Sequence, residues 1–171
     1  MKLVVCFLIL VVSSLAQARL TESAKEVTFE INDPKEARQV YQYLGLPLNW
    51  GDKVTGKPHQ YKSFEDKAGA VSIYCDLINS NARCLLSIRK IESTDMTEVS
   101  HENSESRAAL YDAQDAEALF KALLVKPIVH GGYEMRVLTD EAVNFSINCM
   151  KDSTNGTGTS CQVMIFKGNS I

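Results

Sequence analysis

Residues 33–44 read DPKEARQVYQYL and residues 112–123 read DAQDAEALFKAL, and the two stretches carry one pattern. Each opens with an Asp, whose short carboxylate suits a helix N-cap because it accepts from the orphaned N–H groups of the first turn. Behind it, Ala37, Val40, Tyr41 and Leu44 fall at i, i+3, i+4 and i+7, and Ala116, Leu119, Phe120 and Leu123 take the same places. That spacing puts four apolar side chains on one stripe and predicts two amphipathic helices, each with one buried face. A short strand candidate precedes each helix, VTFEI at 27–31 and AALY at 108–111.

Downstream, YKSFEDKA at 61–68 matches MRVLTDEA at 135–142, each an extended segment closed by Asp-Lys-Ala or Asp-Glu-Ala. Matching stretches are 79 residues apart at the helices and 74 here, so the first half carries five extra residues. They are expected within LPLNWGDKVTGKP at 46–58, a turn-rich segment that holds the only Trp. Next, Val71, Ile73 and Cys75 alternate at period two and are mirrored by Phe145, Ile147 and Cys149. Cys84, Leu86 and Ile88 are mirrored by Cys161, Val163 and Ile165. Each pair of runs reads as a β-hairpin with an apolar inner face. The expected fold class is α+β: tandem duplicated βαβββ units at 19–90 and 107–171, mostly antiparallel sheet with one helix per unit, packed as one globular body. Between them, residues 91–106 hold five acids, no Lys or Arg, and many Ser and Thr. That composition predicts a solvated linker.

Residues 1–18 begin with Lys2, run apolar from Leu3 to Val12, and end Ser13, Ser14, then Ala16-Gln17-Ala18. This is the pattern of a cleaved signal peptide, and its run falls short of the roughly 20 residues of a membrane span. The mature chain is therefore expected to start near Arg19, to be secreted or periplasmic, and to insert into no membrane afterwards. Losing Lys2 takes 18 basic residues to 17 against 21 acidic ones, a net charge of about −4. With no clustered basic face, nucleic acid is not an expected partner.

Cys6 leaves with the signal peptide, and four cysteines remain. Three pairings are possible. The mirrored hairpins favour Cys75 with Cys84 and Cys149 with Cys161, since each pair stands at facing strand ends. Intervals of eight and eleven residues do not match the short Cys-x-x-Cys spacing of structural zinc, and an oxidising compartment favours bridges.

Catalytic signatures are missing from the sequence: there is no Gly-x-Ser-x-Gly elbow, no helical His-Glu-x-x-His, no phosphate-cradling Gly loop and no dinucleotide fingerprint. Neither a cofactor nor a metal is expected. The three histidines, His59, His101 and His130, have no ligand spacing and read as loop residues. Candidate binding residues are Trp50, which lies in the segment that one unit has and the other lacks, and His59, Tyr61, His130 and Tyr133, which come from corresponding regions of the two units. Trp50 serves either a partner contact or a cover for the first helix, since a buried aromatic anchor suits both. Asn144-Phe145-Ser146 and Asn155-Gly156-Thr157 match the N-glycosylation pattern.

A βαβββ unit used twice, with DPKEARQVYQYLGL after a first strand, resembles the glyoxalase/bleomycin-resistance superfamily. The resemblance implies paired units curled into cups around a metal and substrate, with His, Gln or Glu ligands on the first and last strands of each unit. Here those first strands offer only Glu30, and the last strands hold Cys84, Leu86 and Ile88 or Cys161, Val163 and Ile165, so no ligand set carries over. The function expected is an exported, soluble, non-catalytic binding or protein-interaction module, adaptor-like or inhibitor-like. Its partner would be another protein or a small extracytoplasmic ligand. The alternative is an extracytoplasmic hydrolase or lyase with a site between the units, which requires residues of both units to converge and would be favoured by His59 and His130 meeting a carboxylate.

Overall fold

Both aspartates cap the helices they open. In the computed structural model, which describes residues 19–50, 59–79, 81–91, 97–102, 104–140, 144–154 and 158–168, Asp33 Oδ1 accepts from the N–H groups of Lys35 (2.8 Å) and Glu36 (3.0 Å) and starts α1 (Pro34–Tyr43). Pro34 takes the first helical position, where its missing N–H costs nothing. Asp112 Oδ1 likewise accepts from Gln114 and Asp115, both at 3.0 Å, and starts α2 (Ala113–Ala122).

Around α1 lie β1 (Arg19–Glu22), β2 (Glu26–Ile31), β3 (Asn49–Trp50), β4 (Gln60–Glu65), β5 (Val71–Ile78) and β6 (Asn81–Arg89). Around α2 lie β7 (Thr97–His101), β8 (Glu105–Leu110), β9 (Ile128–His130), β10 (Tyr133–Thr139), β11 (Phe145–Asp152) and β12 (Thr159–Phe166). Each set makes an antiparallel sheet, in the orders β1-β2-β6-β5-β4-β3 and β7-β8-β12-β11-β10-β9. The class is α+β, and the strands read from the sequence are the inner ones: β2, β4, β5 and β6, then β8, β10, β11 and β12.

The outer strands were not legible. β7 lies inside the stretch read as a solvated linker: Thr97–His101 is hydrogen-bonded to β8, and Thr97 is only 1% exposed. Its polar residues still alternate, with Thr97 buried and Glu98 exposed, so the period of two is present but disguised. Residues 92–96 of that stretch, residues 1–18, where a signal peptide is expected, and residues 51–58 lie outside the described residues. The five extra residues nevertheless localise. Nine residues separate the paired Trp50 and Gln60, whereas four separate the corresponding Val129 and Glu134, so the surplus belongs to the β3–β4 turn. Trp50 itself stands in strand β3.

Two disulfides join facing positions, Cys75 to Cys84 across β5 and β6 and Cys149 to Cys161 across β11 and β12, each with Cα atoms 4.1 Å apart. All four cysteines are buried beneath the helices. Cys84 Sγ lies 3.4 Å from the Ala37 carbonyl oxygen, and Cys161 Sγ 3.3 Å from that of Ala116.

The helix C-termini are held alike. Lys62 Nζ, on β4, donates to the carbonyls of Tyr41 (3.1 Å) and Leu44 (2.5 Å) and sits 4.6 Å from the centre of the Tyr41 ring. Arg136, on β10, donates to those of Phe120 (3.1 Å) and Leu123 (2.9 Å) and lies 4.4 Å from the Phe120 ring centre. A cation against the last carbonyls satisfies acceptors with no partner inside the helix and opposes the negative end of its dipole.

One core runs through both halves. Phe29 of β2 and Phe145 of β11, both fully buried, place their ring centres 5.6 Å apart. Leu44 and Leu123, which end the two helices, form an antiparallel bridge, and Leu124 N donates to Tyr43 O at 2.6 Å. Gly45 permits this approach, since a Cβ there would meet Leu124 Cγ at 2.7 Å. Polar contacts close the seam: Lys67 N donates to Asp115 Oδ2 (3.0 Å), and Thr97 Oγ1 donates to the buried Asp66 Oδ2 (2.6 Å).

Glu117 ties α2 to its sheet. Its carboxylate accepts from Thr159 Oγ1 (2.6 Å) and Lys151 Nζ (2.9 Å), with Lys121 Nζ at 3.2 Å. The Thr159 hydroxyl first, then the Lys151 ammonium, hold its pKa down to about 2 from the ordinary 4.5. Because the folded value is depressed, the stabilisation is present above pH 4.5 and is lost as pH falls towards 2. Urea titration of wild type against Glu117→Gln is expected to show a gap of about 1 to 2 kcal/mol at pH 7, after solvent screening, and almost none at pH 2. An equal gap at both pH values would mean that the carboxylate charge is irrelevant.

Candidate functional site

Strand alternation gives each sheet two faces. On β5 and β6, Ile73, Cys75, Cys84 and Leu86 are buried towards α1, so Tyr74, Asp76, Arg83 and Leu85 point to the opposite, open face. Across β11 and β12, Ile147, Cys149, Cys161 and Val163 turn to α2, leaving Asn148, Met150, Ser160 and Gln162 on the open side.

The open face of the first sheet is aromatic and charged. Tyr61 stands opposite Asp76, and the rings of Tyr61 and Tyr74 have centres 5.6 Å apart. His59 extends the row, 6.0 Å from Tyr61. Burial raises the pKa of the Tyr74 hydroxyl, and the nearby Asp76 charge adds to the effect. Asp76 is only 5% exposed although it faces outward.

The second sheet's open face is apolar. Tyr111, Met135, Val137 and Met150, with Asn148 and Gln162, line a cavity of about 280 Å³. Tyr111 is 55% exposed, Met150 42%, and Ile128, which pairs with Met135, 54%. The Tyr111 hydroxyl donates to Glu98 Oε2 at 3.1 Å.

The sequence candidates fall into two groups. Trp50 pairs through its backbone with Gln60, and its side chain lies outside the described residues. His59 and Tyr61 adjoin Tyr74 on the first sheet. His130 and Tyr133 face each other across the β9–β10 turn, both exposed. Gly131 (φ 56°) and Gly132 (φ 85°) make that two-residue turn, whose paired positive φ values suit a hairpin. A Cβ at Gly132 would also strike Thr154 Cγ2 at 2.7 Å. The described contacts of His59 and His130 each remain on their own sheet.

His101 lies in β7 rather than in a loop, with Nδ1 3.0 Å from Ser106 Oγ. Burial pushes its imidazole pKa down, and Lys90 and Lys167 push it further. Asn144 immediately precedes β11, and its N–H donates to Asp140 Oδ1 at 2.7 Å. Asn155 lies outside the described residues. Sequence reasoning passed over Asp76, Arg83, Met135 and Met150. Their only signal was that they alternate with core residues, which is also where ordinary solvent-facing side chains stand.

Among the described residues no group of three or more His, Cys, Asp or Glu side chains is placed to hold a metal ion, and no helix is long and apolar enough to cross a membrane. Compared with known proteins, the chain matches no protein family, no curated sequence and no solved structure. None of these comparisons supports the resemblance to the glyoxalase/bleomycin-resistance superfamily.

Proposed function

We propose that this chain is an exported, non-catalytic protein-interaction module made of tandem duplicated βαβββ units, and that it holds another protein on the open face of its second sheet. The observation that carries this reading is the apolar cavity between Tyr111, Met135, Val137 and Met150. Register equivalents on the helix-covered faces keep their chemistry: Ile73 and Ile147, Cys75 and Cys149, Lys62 and Arg136. On the open faces they change, with Tyr61 against Met135, Ser63 against Val137 and Asp76 against Met150. A scaffold requirement explains the first set and leaves the second unexplained. Exposed Met and Tyr are favourable contact residues, since thioethers adapt to irregular partners and tyrosine offers area at low entropy cost.

Charge selects the partner. Glu98 lies beyond Tyr111 on one side and Asp152 beyond Met150 on the other, so an apolar segment flanked by Lys or Arg fits. A second copy of this acidic chain would bring like charges together. The two disulfides suit an oxidising, extracytoplasmic compartment. The hydrolase or lyase alternative would be favoured by His59 and His130 meeting near a carboxylate; the described contacts of His59 are with Tyr61 and those of His130 with Tyr133.

A photo-crosslinking residue at position 150, with Lys35 on exposed α1 as control, tests the reading in the native extracytoplasmic fraction. One discrete adduct from position 150 and none from position 35 is expected, competed away by unlabelled protein. An adduct of twice the chain mass, or equal adducts from both positions, would overturn it.

A further inference from the structure

We propose that the open face of the first sheet carries a second site, for a small zwitterion of the α-amino-acid class, with Asp76 receiving its ammonium group and Arg83 its carboxylate. The inference stands apart from the partner-binding reading, which concerns the other sheet.

Asp76 is the anchor. The residue is only 5% exposed, yet among the described residues its Oδ1 has no hydrogen-bond partner. A buried carboxylate oxygen without a donor is costly, of the order of a lost charged hydrogen bond, so such an atom is expected to have a donor in its working state. The same side chain lines a cavity of about 410 Å³ at the end of the β5–β6 hairpin, together with Arg83, Asn79 and Asn81. That volume exceeds what a single water needs and suits a molecule of several heavy atoms.

Arg83 supplies the opposite charge. It faces Asp76 directly across the strand pair, a position from which the two commonly bond each other. Here it is exposed and makes no ion pair or hydrogen bond among the described residues. Arg83 also borders a neighbouring cavity of about 200 Å³ lined by Glu30, Tyr74, Cys84 and Leu85. An acid and a base on adjacent strands, lining one cavity and not spent on each other, match a ligand carrying both charges close together. A simple amine would meet repulsion from Arg83, and a simple carboxylate would meet it from Asp76. The Tyr61 and Tyr74 rings on the same face add surface on which an ammonium group is favourably placed. The equivalent positions of the second sheet, Met150 and Ser160, carry no charge, so the site belongs to the first sheet alone.

The test is a ¹⁵N-resolved NMR titration of the mature, disulfide-bonded protein. An equimolar mixture of the twenty protein amino acids is added first, then single amino acids including L-valine. L-valine is compared with isobutylamine and isovalerate, which lack its carboxylate and its ammonium group. Saturable shifts at the amides of residues 76–83 are expected with at least one amino acid, and at least tenfold weaker binding with the amine or the acid alone. Asp76→Asn and Arg83→Gln should each abolish the shifts while leaving the rest of the spectrum in place. No saturable shift with the mixture would overturn the proposal, as would equal binding by isobutylamine or survival of the shifts in Asp76→Asn. Should either substitution unfold the chain, Arg83→Lys provides the second arm: loss of the fork is expected to weaken binding at least fivefold in a folded protein, and unchanged affinity would sink the role of the guanidinium.

Discussion

Phe145→Ala is expected to destabilise the whole chain by about 3 to 5 kcal/mol, the range for removing a buried phenyl ring. Phe145 begins β11 and is 1% exposed, and its ring packs on Phe29 of β2. The two rings come from different sheets, so the loss should be felt by both. Trp50, the only Trp, lies in the first sheet and reports on that half. Urea unfolding followed by Trp fluorescence and by far-UV circular dichroism should therefore shift together in Phe145→Ala, with one midpoint for both probes. Paired with Phe29→Ala, the double mutant should show a coupling of about 0.5 to 1.5 kcal/mol from the aromatic contact. A fluorescence midpoint that stays in place while the dichroism shifts would mean that the halves fold separately and that the shared core is wrong.

Removing a bridge should cost nearly as much. Cys149→Ala with Cys161→Ala opens a loop of sequence separation 12, which the chain-entropy relation values at about 3 kcal/mol. For a domain of this size that lowers Tm by roughly 6 to 12 °C. The matching change at Cys75 and Cys84, separation 9, should fall within a few tenths of a kcal/mol of it. Calorimetry under non-reducing conditions reads both. A drop of less than about 2 °C for either pair would show that its hairpin is already fixed by the ladder and by the helix above it. Peptide mapping without reduction should recover Cys75 linked to Cys84 and Cys149 linked to Cys161.

The helices, inner strands and cysteine pairing were legible because each rests on a local rule with a strong energetic cause. An Asp at an N-cap, an apolar stripe at the helical period and alternating Ile, Val and Cys on a half-buried strand all leave marks within ten residues. β1, β3 and β9 left none and β7 only a disguised alternation, since strands of two to five residues show too few alternations to stand out from a polar loop. β7 misled further, because Thr, Ser and Glu compose both an edge strand and a linker, and only pairing with β8 separates them. The candidate sites were less legible still. His59 and Tyr61 were singled out for their chemistry and do border the charged face, but Asp76 looks like any outward residue between Cys75 and Leu77. Its place between Tyr61 and Arg83 on the two neighbouring strands exists only once register is fixed. Met135 and Met150 are likewise unremarkable until β10 and β11 set them side by side.

The proposed interaction surface is best judged by one paired measurement on Met150→Asp, using the partner identified by crosslinking at that position: melting temperature and partner affinity from the same preparation. Met150 is 42% exposed, so a carboxylate there is hydrated at little cost to folding. In the complex the same carboxylate would be desolvated in an apolar cavity, and truncation at such a centre costs 2 kcal/mol or more, about thirtyfold in affinity. The prediction is a Tm within about 2 °C of wild type together with at least a thirtyfold loss of affinity. An unchanged affinity in a folded Met150→Asp protein would remove the second sheet's open face as the contact surface.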